Sequence, residues 1–307
     1  MTLHVFANIV TPYGTASNNR GEKGGNTTTL QKLLWKSQVH TTVSAESIRF
    51  AIRRLFAENG EKTNRFWDDS EQANAWIDPE FKSWSEGKNA TFIDDDLFGY
   101  MRADAPKEEA KAGTATIRRG ILEITRAVSL TPWSGDVSFN AASPGAAPSA
   151  AKNKKDPESK KQNPVPYNAE IHATRYQFGL AMTPEKLADP SRAAKALNTI
   201  GTLRSVAGNH GRFLYDFAPE MIVIRITDDP APRILYCFDT EDGGKTVSAD
   251  SLIARIDSGD VLASELFVGV SDLSLPIVES LKNKGVKVFG VRKAIADASD
   301  SILKGMK

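Results

Sequence analysis

The sequence contains little that would support a disulfide framework, a metal site or a membrane span. Cys237 is the only cysteine among 307 residues. A single cysteine excludes an internal disulfide and a cysteine-based zinc site, and it suits a protein of a reducing compartment. The four histidines show neither HxH nor HExxH spacing, and no run of about 18 apolar residues occurs. We therefore expect a cytoplasmic protein with no metal, no cofactor and no membrane association.

Signatures of nucleotide hydrolysis are also missing. The glycine-rich segment GEKGGN at 21–26 never becomes the GxxxxGK[ST] phosphate loop, and no GxGxxG motif follows a strand. Asp94, Asp95 and Asp96 offer carboxylates of the kind that hold Mg²⁺ in phosphoryl-transfer sites. A solvated acidic turn is the favoured interpretation of this run, so no catalytic residue is assigned.

Charge is distributed unevenly along a chain whose formal net charge is only +1. Residues 1–66 carry 9 basic and 4 acidic side chains, and 111–219 carry 15 and 8. Residues 67–110 carry 4 and 12, and 220–307 carry 11 and 14. Two basic stretches separated by an acidic one suggest a positive groove between negative lobes, although charges that merely decorate solvated faces are an equal alternative.

The hydrophobic pattern predicts alternating strands and helices. Residues 3–10 form an apolar strand, and the breaker-rich segment 11–29 predicts a loop without regular structure. Ser44 is a predicted N-cap for a helix with an apolar stripe. The stripe consists of Ile48, Ala51, Ile52, Leu55 and Phe56. Further strands are predicted at 117–131, 170–182 and 219–227, and a second helix at 191–206.

The order strand, helix, strand, strand, helix, strand predicts an α+β fold with a ferredoxin-like, RNA-recognition-type core. The remaining residues predict an α/β extension of the same sheet or, alternatively, a second small layer. Its predicted strands lie at 233–238, 265–270 and 286–291, and its predicted helices at 248–258 and 274–284. The acidic, tryptophan-containing segment 61–116 predicts a partly helical insertion. Residues 140–168 hold five prolines and no Leu, Ile, Phe, Met or Trp, which predicts a flexible segment.

Three polar clusters are candidate nucleic-acid contacts, because their donors suit phosphate and 2′-hydroxyl groups. They lie in the loop 17–32, on the first helix and in the turn GNHGRF at 208–213. The candidates are Asn18, Asn19, Arg20, Lys23 and Lys32; Arg49, Arg53 and Arg54; and Asn209, His210 and Arg212. A plain surface loop, a solvated helix edge and a helix-terminating turn are the respective alternatives. Neither Arg49 nor Arg53 lies at the centre of the apolar stripe, so both are predicted to be replaceable without loss of the fold.

Three long strings carry a resemblance to a known family. They are NIVTPYGTASNNRGE at 8–22 with GNTTTLQKLLWKSQVHTTVSAESIRFAIR at 25–53, GNHGRFLYDFAPE at 208–220 and DDPAPRILYCF at 228–238. In these the chain resembles the DevR-type CRISPR-associated proteins, members of the RAMP superfamily and backbone subunits of type I Cascade complexes. Subtype I-B is the expected one.

The resemblance implies a hand-shaped protein. The first half of the palm would comprise residues 1–60, which include the RNA-contacting loop. The strands of 117–139 would add to the palm, and residues 169–307 would form its second half together with the α/β extension. Residues 61–116 would form helical fingers and 140–168 a flexible thumb. It also implies that Ser44 and Ser47 contact RNA beside the palm residues already named. The implied thumb residues are Lys152, Lys154, Lys155, Lys160 and Lys161, with Val165 and Tyr167 as candidate wedges between bases.

The function implied by the resemblance is that of a non-enzymatic, crRNA-binding backbone subunit. Copies would line up along the guide in antiviral defence, meet other Cascade subunits, and touch target DNA indirectly through the guide duplex. One alternative is a RAMP-type endoribonuclease that processes guides, with His40 or His210 as general acid or base, or that cleaves target RNA. Cleavage of target RNA would use an acidic residue in the loop after the first strand. That loop holds no Asp, and Glu22 is its only acidic residue. A regulatory protein is another alternative, although no helix-turn-helix pair stands out.

Overall fold

The computed structural model describes residues 2–17, 23–25, 27–71, 73–85, 91–101, 117–142, 165–206 and 213–305.

The helices are α1 (Ala45–Glu58), α2 (Lys82–Ser85), α3 (Ile93–Phe98), α4 (Arg192–Ile200), α5 (Asp250–Asp257), α6 (Pro276–Lys282) and α7 (Val291–Gly305). The strands before the insertion are β1 (His4–Val10), β2 (Gly14–Ala16), β3 (Lys23–Gly24), β4 (Thr27–Thr28), β5 (Lys32–Trp35) and β6 (Gln38–Val43). Those that follow up to the second helix are β7 (Arg65–Asp68), β8 (Ala73–Trp76), β9 (Gly99–Met101), β10 (Ile117–Arg119), β11 (Glu123–Ile124), β12 (Ala127–Ser129), β13 (Val137–Ala142), β14 (Val165–Glu170), β15 (His172–Thr174) and β16 (Tyr176–Met182). The last are β17 (Met221–Thr227), β18 (Asp239–Glu241), β19 (Thr246–Ser248), β20 (Leu266–Val270) and β21 (Val288–Phe289).

One sheet of nine strands organises the protein. Its order is β21-β20-β17-β1-β16-β12-β6-β5, with β11 also paired to β16. Strand β1 lies in the middle between β16 and β17 and is antiparallel to both. Only the β20–β21 pair within this sheet is parallel. The predicted extension of the sheet by the C-terminal strands is therefore confirmed for β20 and β21.

Both sides of the central strand β1 are covered. Val5, Ala7 and Ile9 point to a core that also contains apolar residues of α1, α4 and α7. Phe6 and Val10, the alternate residues of the same strand, point to a second core with α5 and α6. A strand that is buried on both sides needs apolar residues at nearly every position. This explains why β1 is apolar except at His4 and Asn8, and the buried Asn8 accepts a hydrogen bond from the Tyr236 amide at 2.9 Å.

Helix α1 matches its prediction residue by residue. Ser44 is the N-cap, with its Oγ accepting a hydrogen bond from the Ser47 amide at 3.2 Å. The buried residues are the five of the predicted stripe. Phe50 lies on the opposite side and is exposed. The spacing of apolar residues and the cap were therefore sufficient to place this helix.

Several other boundaries differ from the prediction. Residues 117–131 form three short strands, and at Gly120, between the first two, the backbone lies too close to Phe98 for a side chain. The second long strand is interrupted at Arg175, and the second helix ends at Ile200. Residues 233–238 form no strand, and α7 was not predicted. The loop 11–29 is also more regular than expected, since it contains β2, β3 and β4.

The segments on either side of residues 143–164 form the stem of a hairpin. Strand β13 pairs antiparallel with β14 from Val137 opposite Glu170 to Ala142 opposite Val165. Strand β14 also pairs with β4, and β4 pairs with β3. The result is a four-stranded sheet in the order β13-β14-β4-β3. We call this the small sheet. The ends of the predicted flexible segment, 140–142 and 165–168, are thus strands.

Candidate nucleic-acid interface

Three of the predicted contact residues, Ser44, Ser47 and Arg49, lie at the beginning of helix α1. Ser44 is buried and serves as the helix cap, and its Oγ lies 3.1 Å from the Ser47 Oγ. Ser47 is half-buried. Arg49 follows one turn later, partly exposed, and donates to Glu46 at 3.1 Å. Since exposed ion pairs are weak, Arg49 can exchange this partner for a phosphate, whereas Ser44 is already engaged in capping.

Arg53 has a different environment from Arg49, although the two are four residues apart on one helix. Its side chain is 15% exposed, and its Nε lies 3.5 Å from Asp94 Oδ2. The guanidinium also lies 4.8 Å from the centroid of the Phe98 ring. Burial lowers the pKa of Arg53 to about 10. Arg53 therefore joins α1 to α3, and its replacement is not neutral for the fold, contrary to the prediction made from its place beside the stripe.

Arg54 and Lys32 are also engaged with acidic partners. Arg54 is about half-exposed and lies 3.5 Å from Glu58. Lys32 Nζ lies 2.5 Å from Glu170 Oε2 and 3.9 Å from the centroid of the Trp133 ring. Glu170 also accepts from the Leu30 amide at 2.7 Å. Lys32 thus helps to hold the chain after β4 against the hairpin stem.

Many predicted contacts fall outside the described residues. They are Asn18, Asn19, Arg20, Asn209, His210, Arg212, Lys152, Lys154, Lys155, Lys160 and Lys161. Lys23 and Val165 are described for the backbone only, in β3 and β14 respectively. Tyr167 is half-buried on β14, where it pairs with Asn140.

The small sheet brings together the two segments that were predicted separately to contact RNA. Asn168 and Ala169 of the hairpin stem pair in parallel with Thr27 and Thr28 of the loop. Strand β4 in turn pairs with β3, which contains Lys23. Residues about 140 positions apart in the sequence are therefore neighbours. The described strands of the loop, β3 and β4, therefore share one sheet with the hairpin stem.

The sequence did not single out Phe139, which lies on the same surface. It is on β13 opposite Asn168 and is 74% exposed. Val137, two residues earlier on the same face of the strand, is also exposed. The alternation of apolar and polar residues in VSFNAA was the available signal. Exposed aromatic rings beside basic loops suit contact with nucleobases.

Of the two histidines named for the nuclease alternative, His210 lies outside the described residues, and His40 is not placed as an accessible acid or base. His40 is 5% exposed, and its Nδ1 lies 2.7 Å from the Ser129 carbonyl oxygen. Burial lowers its pKa. His172, also buried, lies 2.8 Å from Thr41 Oγ1, and burial lowers its pKa to about 4. Both rings belong to a buried network of hydroxyl groups.

The acidic run at 94–96 is a buried structural element, and the prediction of a solvated turn is wrong. Asp94 accepts from the Asn64 and Arg65 amides at 2.8 and 3.1 Å. Asp96 binds Arg118 and Arg192 at 3.0 and 2.7 Å. For Asp95, burial and the charge of Asp94 raise the pKa to about 7. Each carboxylate is held by chain segments that pack around α3, because a buried charge requires partners.

The described part of the chain offers neither a cluster of metal ligands nor a membrane-spanning helix. No group of three or more His, Cys, Asp or Glu side chains is arranged to hold a metal ion there. Among the same residues, no helix has both the length and the apolar character needed to cross a membrane.

The sequence matches characterised proteins over most of its length. Residues 9–247 match the profile of a family described as CRISPR-associated negative auto-regulator DevR/Csa2. A protein of Myxococcus xanthus (strain DK1622) named CRISPR-associated protein Cas7/Cst2/DevR is 58% identical over 270 residues, which cover 88% of this chain and 87% of the relative. The chain belongs to the DevR/Csa2 family. Residues 248–307, with α5, α6 and α7, lie beyond the matched profile of that family.

Solved structures share the fold of this DevR/Csa2 protein. A chain of a CRISPR RNA-guided surveillance complex matches 97% of it and 100% of its own length, with a TM-score of 0.55 and 15% identity. A chain of a pre-nicking surveillance complex gives the same coverages, with a TM-score of 0.58 and 14% identity. At this level of identity the comparison establishes the mixed α and β architecture.

Proposed function

We propose that this DevR/Csa2 protein is a non-catalytic backbone subunit of a type I CRISPR surveillance complex. It binds the crRNA along its phosphates, and further copies extend the same surface along the guide. Other Cascade subunits complete the assembly, and target DNA meets this subunit through the guide duplex. Since Watson–Crick pairing selects the target, the protein needs phosphate contacts and little base-specific readout.

The family and the fold support this role. The 58% identical relative carries the name Cas7/Cst2/DevR, and the structural neighbours are chains of RNA-guided complexes. The strand order β17-β1-β16-β12, with α1 and α4 on one face, is the arrangement that a ferredoxin-like palm requires. In this proposal the region from β7 to β10 forms the fingers, and β13 and β14 form the base of the thumb.

The observation that carries the proposal is the pairing of β14 with β4. The central strand β1 is covered on both sides, so RNA would contact loops and edges rather than the middle of the large sheet. The small sheet supplies such a surface, because it joins the RNA loop to the thumb stem. Exposed Phe139 adds a base contact to it.

The proposal is tested with purified protein, labelled guide RNA and a complementary target. We expect bands that increase in number with guide length, and no cleavage products with or without divalent metal. Arg49→Gln serves as the matched variant. It should weaken binding and reduce the slope of log K against log salt by about 0.7, the value for one lost contact to a single strand.

Three results would contradict the proposal. Failure to bind guide RNA would exclude the backbone role, and metal-dependent cutting of either RNA would favour the endoribonuclease alternative. The regulatory function in the family description predicts sequence-specific binding of duplex DNA instead. A duplex covering the upstream region of the encoding gene, added as a competitor, separates that function from guide binding.

A further inference from the structure

Glu170 is an acidic residue of the small sheet, the surface that the proposed function assigns to the guide. It is the last residue of β14 and lies opposite Val137 of β13. Its side chain is only 13% exposed. Since a carboxylate repels the phosphates of RNA, direct contact with the guide does not explain an acidic residue at this position.

Strand pairing brings the loop 17–32 back to the hairpin stem on both sides of Glu170. Strand β14, which ends at Glu170, pairs with β4. Strand β15, which begins two residues later, pairs with β2. Strand β2 ends at Ala16 and β4 begins at Thr27. The segment between them therefore leaves and returns beside the same short stretch of the stem.

Glu170 itself contacts both ends of the loop 17–32. Its backbone carbonyl oxygen accepts a hydrogen bond from Ser17 Oγ at 2.9 Å, directly after β2. Its Oε2 accepts from the Leu30 amide at 2.7 Å and lies 2.5 Å from Lys32 Nζ, and both of these residues follow β4. One residue of the stem thus holds the beginning and the end of the loop.

The ion-pair partner of Glu170 is also held in place. Lys32 is 25% exposed, and its Nζ lies 3.9 Å from the centroid of the Trp133 ring. Trp133 donates from Nε1 to the Ile171 carbonyl oxygen at 2.9 Å and from its amide to the Val39 carbonyl oxygen at 2.8 Å. Separating a largely buried ion pair leaves a buried charge without a partner. Lys32 is therefore much less free than an exposed cation to exchange its carboxylate for a phosphate.

We propose that Glu170 is a positioning residue for guide binding, which acts through Lys32 to fasten the loop 17–32 to the hairpin stem. We call this ion pair the loop clasp. The inference rests on the proposed function, because it requires the guide to bind at the small sheet. A loop that is already fixed loses less conformational entropy when a ligand binds. The loop clasp thus raises affinity for the guide, and Lys32 serves in it rather than as a phosphate contact.

Positioning and direct contact predict opposite results for Glu170→Gln. If Lys32 contacts a phosphate, the substitution removes a repulsive charge and releases Lys32, so the guide binds more tightly and with a steeper salt dependence. If the pair is a clasp, the substitution loosens the loop and the guide binds more weakly. The sign of the change in affinity therefore separates the two roles.

The test measures the affinity of the full chain for a labelled single-stranded RNA by fluorescence anisotropy at several salt concentrations. An RNA of about eight nucleotides is within the range bound by single nucleic-acid domains. The variants are Glu170→Gln, Lys32→Met and the double variant. Asp257→Asn is the matched control, since it removes one carboxylate from an ion pair with Lys284, 2.7 Å away in the C-terminal extension. Amide hydrogen exchange of the free proteins reports on the loop without RNA.

We expect each single variant to bind about 2- to 12-fold more weakly, the cost of ordering one side chain on binding. The double variant should be no weaker than either single variant, because all three lack the same clasp. The salt dependence should stay the same, and Asp257→Asn should bind as the wild type does. In Glu170→Gln, the amides of β4 and Leu30 should exchange faster, while those of α1 keep their protection.

Tighter binding by Glu170→Gln would overturn the inference and leave the proposed function intact. So would unchanged affinity, additive losses in the double variant, or a salt slope that falls by about 0.7 in Lys32→Met. Unchanged exchange at Leu30 would show that the pair does not hold the loop. If the α1 amides of Glu170→Gln also lose protection, its fold is impaired, and Lys32→Met decides alone. A wild type that binds no guide refutes the proposed function and the role of Glu170 in guide binding, whereas hydrogen exchange still measures the clasp.

Discussion

Arg53 of helix α1 and Asp94 of helix α3 form a buried ion pair, with Arg53 Nε 3.5 Å from Asp94 Oδ2. The pair connects the helix that carries predicted RNA contacts to the inserted region. Asp94 also accepts from two backbone amides near the start of β7. One carboxylate thus positions both the helix and the insertion, which gives the acidic run a structural role.

Arg53→Glu is predicted to destabilise the protein by about 3 kcal/mol or more, because it replaces a buried cation with an anion beside Asp94 and Asp95. Arg49→Glu is the matched variant on the same helix. Its partner Glu46 is exposed, so the loss should stay below about 1 kcal/mol. Urea denaturation followed by circular dichroism measures both. Equal stability of the two variants would show that the Arg53–Asp94 pair is not important for folding.

Ser44→Ala is predicted to lower the free energy of unfolding by about 1 kcal/mol, since it removes the acceptor for the Ser47 amide at the start of α1. Ser47→Ala keeps that backbone donor and should change stability by less than about 0.5 kcal/mol. If both residues contact RNA only, neither substitution will change the melting curve. Thermal unfolding in the absence of RNA distinguishes the two roles.

Phe139→Ala is predicted to weaken guide binding by about 1–3 kcal/mol, the contribution of one base stacked on an aromatic ring. Stability should hardly change, because the ring is exposed on β13. Leu273→Ala, at an exposed position between β20 and α6, is the control. Fluorescence anisotropy with labelled guide RNA gives the affinities. Unchanged affinity of Phe139→Ala would remove β13 from the proposed interface.

Asp95 is predicted to make the protein less stable as the pH rises from 4 to 7. Burial raises its pKa from 3.8 to about 7. In this window the folded protein retains a proton that the unfolded chain releases. The free energy of unfolding therefore falls by up to ~1.4 kcal/mol per pH unit. Asp95→Asn keeps an acceptor for the Asn64 amide and should remove this fall.

His172 contributes with the opposite sign. Burial lowers its pKa from 6.5 to about 4, so the unfolded chain takes up a proton between these values and the folded protein does not. Stability is lost as the pH falls from 6.5 to 4. In the Asp95→Asn variant this loss is no longer offset, and stability should rise with pH through the same window. Stability curves of wild type and variant that run parallel over pH 4–8 would refute the Asp95 assignment, and a variant whose stability does not rise between pH 4 and 6.5 would refute the His172 assignment.

The sequence predicted those elements whose signals are local. Helix α1 has a cap, an apolar stripe and a polar opposite face within fifteen residues, and every one of its buried positions was predicted. Strand β1 is apolar at all positions except His4 and Asn8, because both of its sides are buried. In contrast, the breaks at Gly120 and Arg175 arise from contacts with distant segments. Residue patterns within a strand do not contain that information.

What the sequence determined by itself is the family, the order of the principal elements and the candidate contact residues, since these depend on residue types along the chain. The tertiary structure decided how those residues are used. It pairs β14 with β4, buries Arg53 against Asp94 while Arg49 stays accessible, and places the Glu170 carboxylate beside Leu30 and Lys32. The reason is physical: hydrogen bonding between strands, burial of charge and exposure of side chains depend on neighbours that only folding brings together.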